Sequence, residues 1–178
     1  AQFVNSFYAH AVNDKRIEFL GCDETDVHLD NILLMGLEGL VGFNQALNYK
    51  IYVNPKVKIF LRVNENDARK GTTNVDEQLI NASNHLDGTI FVSNWLQDYF
   101  NKLNWKCDNQ TVVYNGVDQT IYKPNEKLNN KKINLVTHHW SDNWLKGFDI
   151  YEKIDNYVAT NSDYEFTYIG RHRANFRN

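Results

Sequence analysis

The residues able to do chemistry in this sequence sit at the ends of apolar runs, and Lys146-Gly147 is the clearest case. The pair follows an apolar run, Ile133 to Val136, and a polar, aromatic loop, Thr137 to Trp144. It opens an apolar-periodic segment carrying Phe148, Ile150, Tyr151, Ile154 and Val158. That order predicts a buried strand, a loop and a helix N-terminus, and the loop after a parallel strand is where α/β sheets bind ligands. A helix N-terminus offers N–H groups and a positive dipole end to phosphate, and a lysine there adds a mobile positive charge. The plainer alternative is an ordinary connection with a solvated lysine, since no glycine-rich phosphate fingerprint accompanies the pair.

A second set follows the run Val57 to Val63: Asn64, Asp67, Arg69 and Lys70 stand just beyond it, with Arg62 inside it. Burying a guanidinium without a partner is costly, so Arg62 is expected either to pair with a carboxylate such as Asp67 or to face a cleft. Ser93, Asn94 and Trp95 end the next apolar run and can line the same edge, although a tryptophan at this spacing is more often core. His138-His139 with Asp142 does not have a metal-ligand spacing, so stacking or hydrogen bonding by His139 or Trp140 is the expected role. No Asp-x-Asp pair occurs.

The elements that must hold these residues alternate. Ala1 to Leu20 is an irregular or helical lead-in, and Asp26 to Asn31 alternates weakly as a short strand. Ile32 to Leu47 has helical spacing. In it Gly36, Gly39 and Gly42 recur every three residues, at about 1 kcal/mol each inside a helix. Either a backbone or ligand approaches closely there, or the segment is loose. Val57–Val63 reads as a buried strand and 76–86 as a helix capped by Thr73 or Asp76. Strands at 89–92 and 111–114 bracket an amphipathic helix over 95–103. Asn115-Gly116 then makes a turn in which glycine tolerates positive φ. Lys123 to Lys132 is charged and aperiodic, with Pro124 early in it, as in a linker. Beyond it come the Ile133 strand, the helix from Trp144 or Leu145 to about Val158, and a strand over 164–169. Strands alternating with helices imply parallel βαβ units.

With 178 residues, 42% hydrophobic and 13% aromatic, the chain can bury a core. A net charge of −3 gives no electrostatic case for nucleic acid. Cys22 and Cys107 form no CxxC, which fits free thiols in a reducing compartment. No apolar run approaches the roughly 20 residues that span a bilayer.

VVYNGVD at 112–118, a proline soon after, a linker, and then strand, loop and Lys-Gly resemble glycosyltransferase family 4, the retaining GT-B enzymes with two Rossmann-like domains. The segments RVNENDARKGTTNVDEQLI, DGTIFVSNWLQDYF, THHWSDNWLKGFDIY and TYIGR resemble a bacterial subgroup of surface-polysaccharide type. The resemblance covers most of 26–171. It implies a Rossmann-like, acceptor-side domain over 1–123, a linker over 124–132, and an incomplete donor-binding domain over 133–178. Lys146 and Gly147 would contact the diphosphate of a nucleotide-sugar donor, with Ser141, His139 and Arg171 beside them. Arg62, Asn64, Asp67, Arg69, Lys70 and Ser93 would face a glycan or lipid-linked acceptor, and Asn115 and Gly116 would lie at the hinge.

Two departures stand out. The family commonly has an arginine five residues before the lysine, where Ser141 stands, so Arg171 or Arg173 would have to replace that charge. It often has a histidine at Asn64, which implies altered acceptor chemistry. The family's Glu-x7-Glu pair lies beyond Asn178, so this polypeptide alone is expected to transfer sugar slowly or not at all. A metal-independent donor site, no cofactor, and a cytoplasmic location with peripheral membrane contact left open complete the expectation. The alternatives are a non-catalytic nucleotide- or sugar-binding module, and another GT-B-like enzyme such as a sugar-phosphate epimerase.

Overall fold

The computed structural model describes residues 11–17, 28–36, 38–124, 131–139 and 141–171, with only the backbone for 38–41. The chain is mixed α/β, consistent with a Rossmann-like fold. A four-stranded parallel sheet is built from β1 (Asn31–Met35), β2 (Lys58–Val63), β3 (Gly88–Phe91) and β4 (Gln110–Val112), in that spatial order. Helices α1 (Glu38–Tyr52), α3 (Val75–Ser83) and α4 (Asn94–Lys102) connect the strands, and α2 (Asp67–Lys70) is a single turn after β2. A second, two-stranded parallel sheet pairs β5 (Ile133–His139) with β6 (Tyr164–Gly170) through α5 (Phe148–Val158).

The strand order explains where the core lies. Crossovers between parallel strands are almost always right-handed, so strands laid side by side in chain order send their helices to one face. The buried cluster obeys this. Ile59, Leu61 and Val63 alternate along β2 and meet Leu34 and Phe91 from the neighbouring strands. Ala46, Leu79, Leu96 and Phe100 close over them from α1, α3 and α4. Each large side chain buried there contributes about 1.5–3 kcal/mol. Phe91, Phe100 and Trp105 also meet edge to face or offset, with centroids 5.2–6.1 Å apart, and the Trp105 indole N–H donates to Thr89 at 3.1 Å.

Two expected elements differ. The segment over 32–47 is not one helix: Ile32–Met35 belongs to β1, pairing with Ile59–Arg62. A short apolar run fits strand and helix alike, and Gly36 at φ +60° ends it before α1 begins. The Ile133–Val136 strand forms but is not buried; Ile133 and Val136 are 56% and 62% exposed. With one helix against two strands, only one face of this sheet is covered among the described residues. Its core is aromatic: Phe148 packs against Tyr151 and Tyr168, and Tyr151 against Phe166.

Smaller corrections concern caps and turns. The N-cap of α3 is Asn74, not Thr73 or Asp76, and it caps without a side-chain bond. Gly116 is not among the positive-φ glycines, so its turn makes no special demand on backbone conformation. The expected strand over 26–31 begins outside the described residues, as do residues 125–130 of the expected 124–132 linker, Trp140, Arg173 and Cys22, while Gly39 lies in α1. Among the described residues no helix is long and apolar enough to cross a membrane.

Candidate functional site

The carboxyl ends of β2 and β5 each release a charged loop, and the two loops come together. Asn143 caps the 3-10 turn Trp144–Lys146, accepting the Leu145 N–H at 3.0 Å. Gly147, at φ +93°, then turns the chain into α5. This geometry needs glycine, because L side chains avoid positive φ. It presents Lys146 at the start of α5, half-buried. On the other side Asn66 caps α2 by accepting the Arg69 N–H at 3.2 Å, and Gly71 ends that turn in the left-handed region. A Cβ at Gly71 would lie 3.2 Å from Leu145 Cδ1, so the two loops nearly touch.

Positive charges from both loops interact at the junction. Burial, and then the positive charges of Arg69 and Lys70, hold the Lys146 pKa below the ordinary lysine value. Like charges near one another lower each other's proton affinity, and an anion among them would relieve the repulsion. Lys70 is partly neutralised by an ion pair with Glu65. Asp149 in the first turn of α5 already complements the helix dipole, so an anion there depends chiefly on the side-chain cations.

His139 supports the same loop. Its Nε2 lies 2.8 Å from the Tyr151 hydroxyl, and the two rings stack at 5.8 Å. Burial, then the charges of Lys146 and His138, lower its pKa, so His139 is a neutral partner beside the lysine at pH 7. Ser141 shapes the loop by accepting the Asn143 N–H at 3.2 Å. The Arg171 backbone N–H bonds to the His139 carbonyl at 3.3 Å, which puts that exposed residue at the same strand end.

No family model matches the chain, and no curated protein matches it. What the site takes is therefore read from its own chemistry. The carboxyl end of β2 is unusually polar inside. Asn64 Oδ1 is buried without a hydrogen-bond partner. Asn64 and Glu65 line a cavity with Gly36, Val63 and Leu79 that is too tight for water. Each unsatisfied buried group costs about 1–3 kcal/mol, and such groups concentrate at functional sites.

The remaining expected residues divide. Arg62 is buried, with Nη2 donating to Asn115 Oδ1 at 2.6 Å, and burial lowers its pKa. This contact joins β2 to the chain after β4, which places Asn115 and Arg62 together. The oxygens of Asp67 accept instead from the Thr72 hydroxyl at 2.7 Å and the Asp76 N–H at 3.0 Å. Desolvation raises the Asp67 pKa, but these bonds outweigh it and the net shift is downward. Ser93 is the N-cap of α4, accepting the Leu96 N–H at 3.2 Å. Trp95 is not core; it is 59% exposed. Tyr151, Asn66 and Asp76 were not foreseen as site residues. Of these only Asn66 gives a sequence signal, an Asn-Asp start to a short polar turn. A groove of about 380 Å³ between α5 and β6, lined by Asp155, Asn161 and Phe166, lies at the opposite end of the second sheet from Lys146.

Proposed function

We propose that the chain carries the donor and acceptor edges of a GT-B-type glycosyltransferase, which moves sugar from a nucleotide diphosphate sugar to a glycan or lipid-linked acceptor with retention. The observation that carries this reading is the approach of the Lys146 loop to the Arg69–Lys70 loop, with Leu145 against Gly71 and the three cations interacting. In glycosyl transfer the departing diphosphate develops negative charge, and fixed cations stabilise it. Lys146 is the residue at the departing phosphate. Arg69, from the other sheet, and Arg171, at the end of β6, are available for the charge that Ser141 does not supply. Neutral His139, held by Tyr151, hydrogen-bonds without adding charge. The GT-B arrangement, the acceptor role of the β2 edge and the hinge role of Asn115-Gly116 belong to this proposal.

The test is ligand-observed saturation-transfer NMR with UDP-, GDP-, dTDP- and ADP-sugars. One nucleotide sugar is expected to show contact through its base, ribose and sugar protons. Absence of contact with all four would overturn the reading.

A further inference from the structure

We propose that Trp95 and Tyr99 form a stacking platform for a neutral pyranose ring. Trp95 lies in the first turn of α4, just beyond the carboxyl end of β3. Its indole stacks on Tyr99 one helical turn on, with centroids 5.5 Å apart and planes 24° from parallel. Tyr99 therefore covers one face of the indole, while the side chain remains 59% exposed. An exposed tryptophan forfeits one of the largest apolar burials available to any side chain. Here it is also held flat, by a tyrosine that is itself fixed.

The fixing network shows which ligand the platform suits. The Tyr99 hydroxyl donates to Asp76 Oδ2 at 2.6 Å. Asp76 Oδ1 accepts the Asp67 N–H at 2.9 Å, and Asp67 Oδ2 accepts the Asp76 N–H at 3.0 Å. Asn66, 1% exposed, sits beside this network and opposes the rise that Asp76 imposes on the Tyr99 pKa. That effect is a side-chain hydrogen bond from Asn66 to the Tyr99 hydroxyl, which helps hold the ring in place. Each oxygen of the Asp76 carboxylate keeps a second lone pair. An apolar ring face beside carboxylates matches a sugar, which has an apolar C–H face and hydroxyls around its rim. Phosphate is disfavoured directly beside Asp67 and Asp76, so the platform suits a neutral sugar.

Assigning that sugar as the acceptor rests on the glycosyltransferase reading; sugar binding itself does not. The test titrates glucose, galactose and N-acetylglucosamine trisaccharides into the full chain and follows the Trp95 indole N–H by NMR, assigned by its loss in Trp95→Phe. At least one trisaccharide is expected to shift that resonance. Trp95→Ala is expected to weaken binding about tenfold, with Trp95→Phe retaining most of it and the exposed position leaving the circular dichroism unchanged. No shift with any saccharide, an unchanged affinity in Trp95→Ala, or a shift with uridine in place of sugar would overturn the proposal. UDP titrated in parallel reads the Lys146 site, and its failure to bind would count against the donor reading alone.

Discussion

On the proposed reading Lys146 is the residue on which the chemistry turns, and its depressed pKa sets a pH dependence. A bound diphosphate favours the protonated lysine, so affinity falls as pH rises through the folded pKa, which lies below the ordinary lysine value. Replacing Arg69 and Lys70 by alanine removes two of the depressing charges. UDP affinity measured across the alkaline range should then fall off at higher pH in that double variant than in the wild type. Gly36 is equally specific but structural. It holds φ +60°, and a Cβ there would meet Asn64 Oδ1 at 2.6 Å. Gly36→Ala is expected to cost about 1–3 kcal/mol in urea unfolding. Asp87 accepts both the Lys50 ammonium at 2.6 Å and the Ile59 N–H at 2.9 Å. Desolvation works against its charge, but these bonds prevail and lower its pKa. A lowered carboxylate pKa stabilises the fold above its unfolded value, near 3.9, and that stability is lost as pH falls through the folded value. Asp87→Asn should lose about 1–2 kcal/mol at neutral pH, the partial exposure of the pair keeping it small, and the loss should shrink in acid.

At the scale of elements, much of the chain is legible because the pattern and the caps agree. The β2 run carries the β-branched Val57, Ile59 and Val63 and is bounded by polar residues. The α4 segment places Leu96 and Phe100 inward, four apart, after a serine that caps it. Ser93→Ala should therefore cost about 1 kcal/mol in thermal unfolding through the cap alone. What escaped the sequence has physical causes. The apolar stretch Ile32–Met35 satisfies two periodicities at once, and only its pairing with β2 makes it a strand. Trp95 has the spacing of a core residue, yet stacking on Tyr99 leaves it half outside. The approach of Leu145 to Gly71 joins residues far apart in sequence and has no local signature. Lys146 and Arg69 were each legible as strand-end cations, although no local pattern sets them near one another.

Over the whole molecule, two parallel sheets would share one anion between their charged strand ends. Binding of that kind is screened by salt and is supplied from both sides of the junction. The most direct measurement is calorimetric titration of UDP and of uridine into the wild type, Lys146→Ala, and the Arg69→Ala/Lys70→Ala double variant. Charge-assisted contacts to phosphate contribute about 1.5–3 kcal/mol each. UDP is therefore predicted to bind far more tightly than uridine, and to weaken by about tenfold or more in either variant. Equal binding of UDP and uridine, or UDP affinity untouched by the loss of Lys146, would contradict the account.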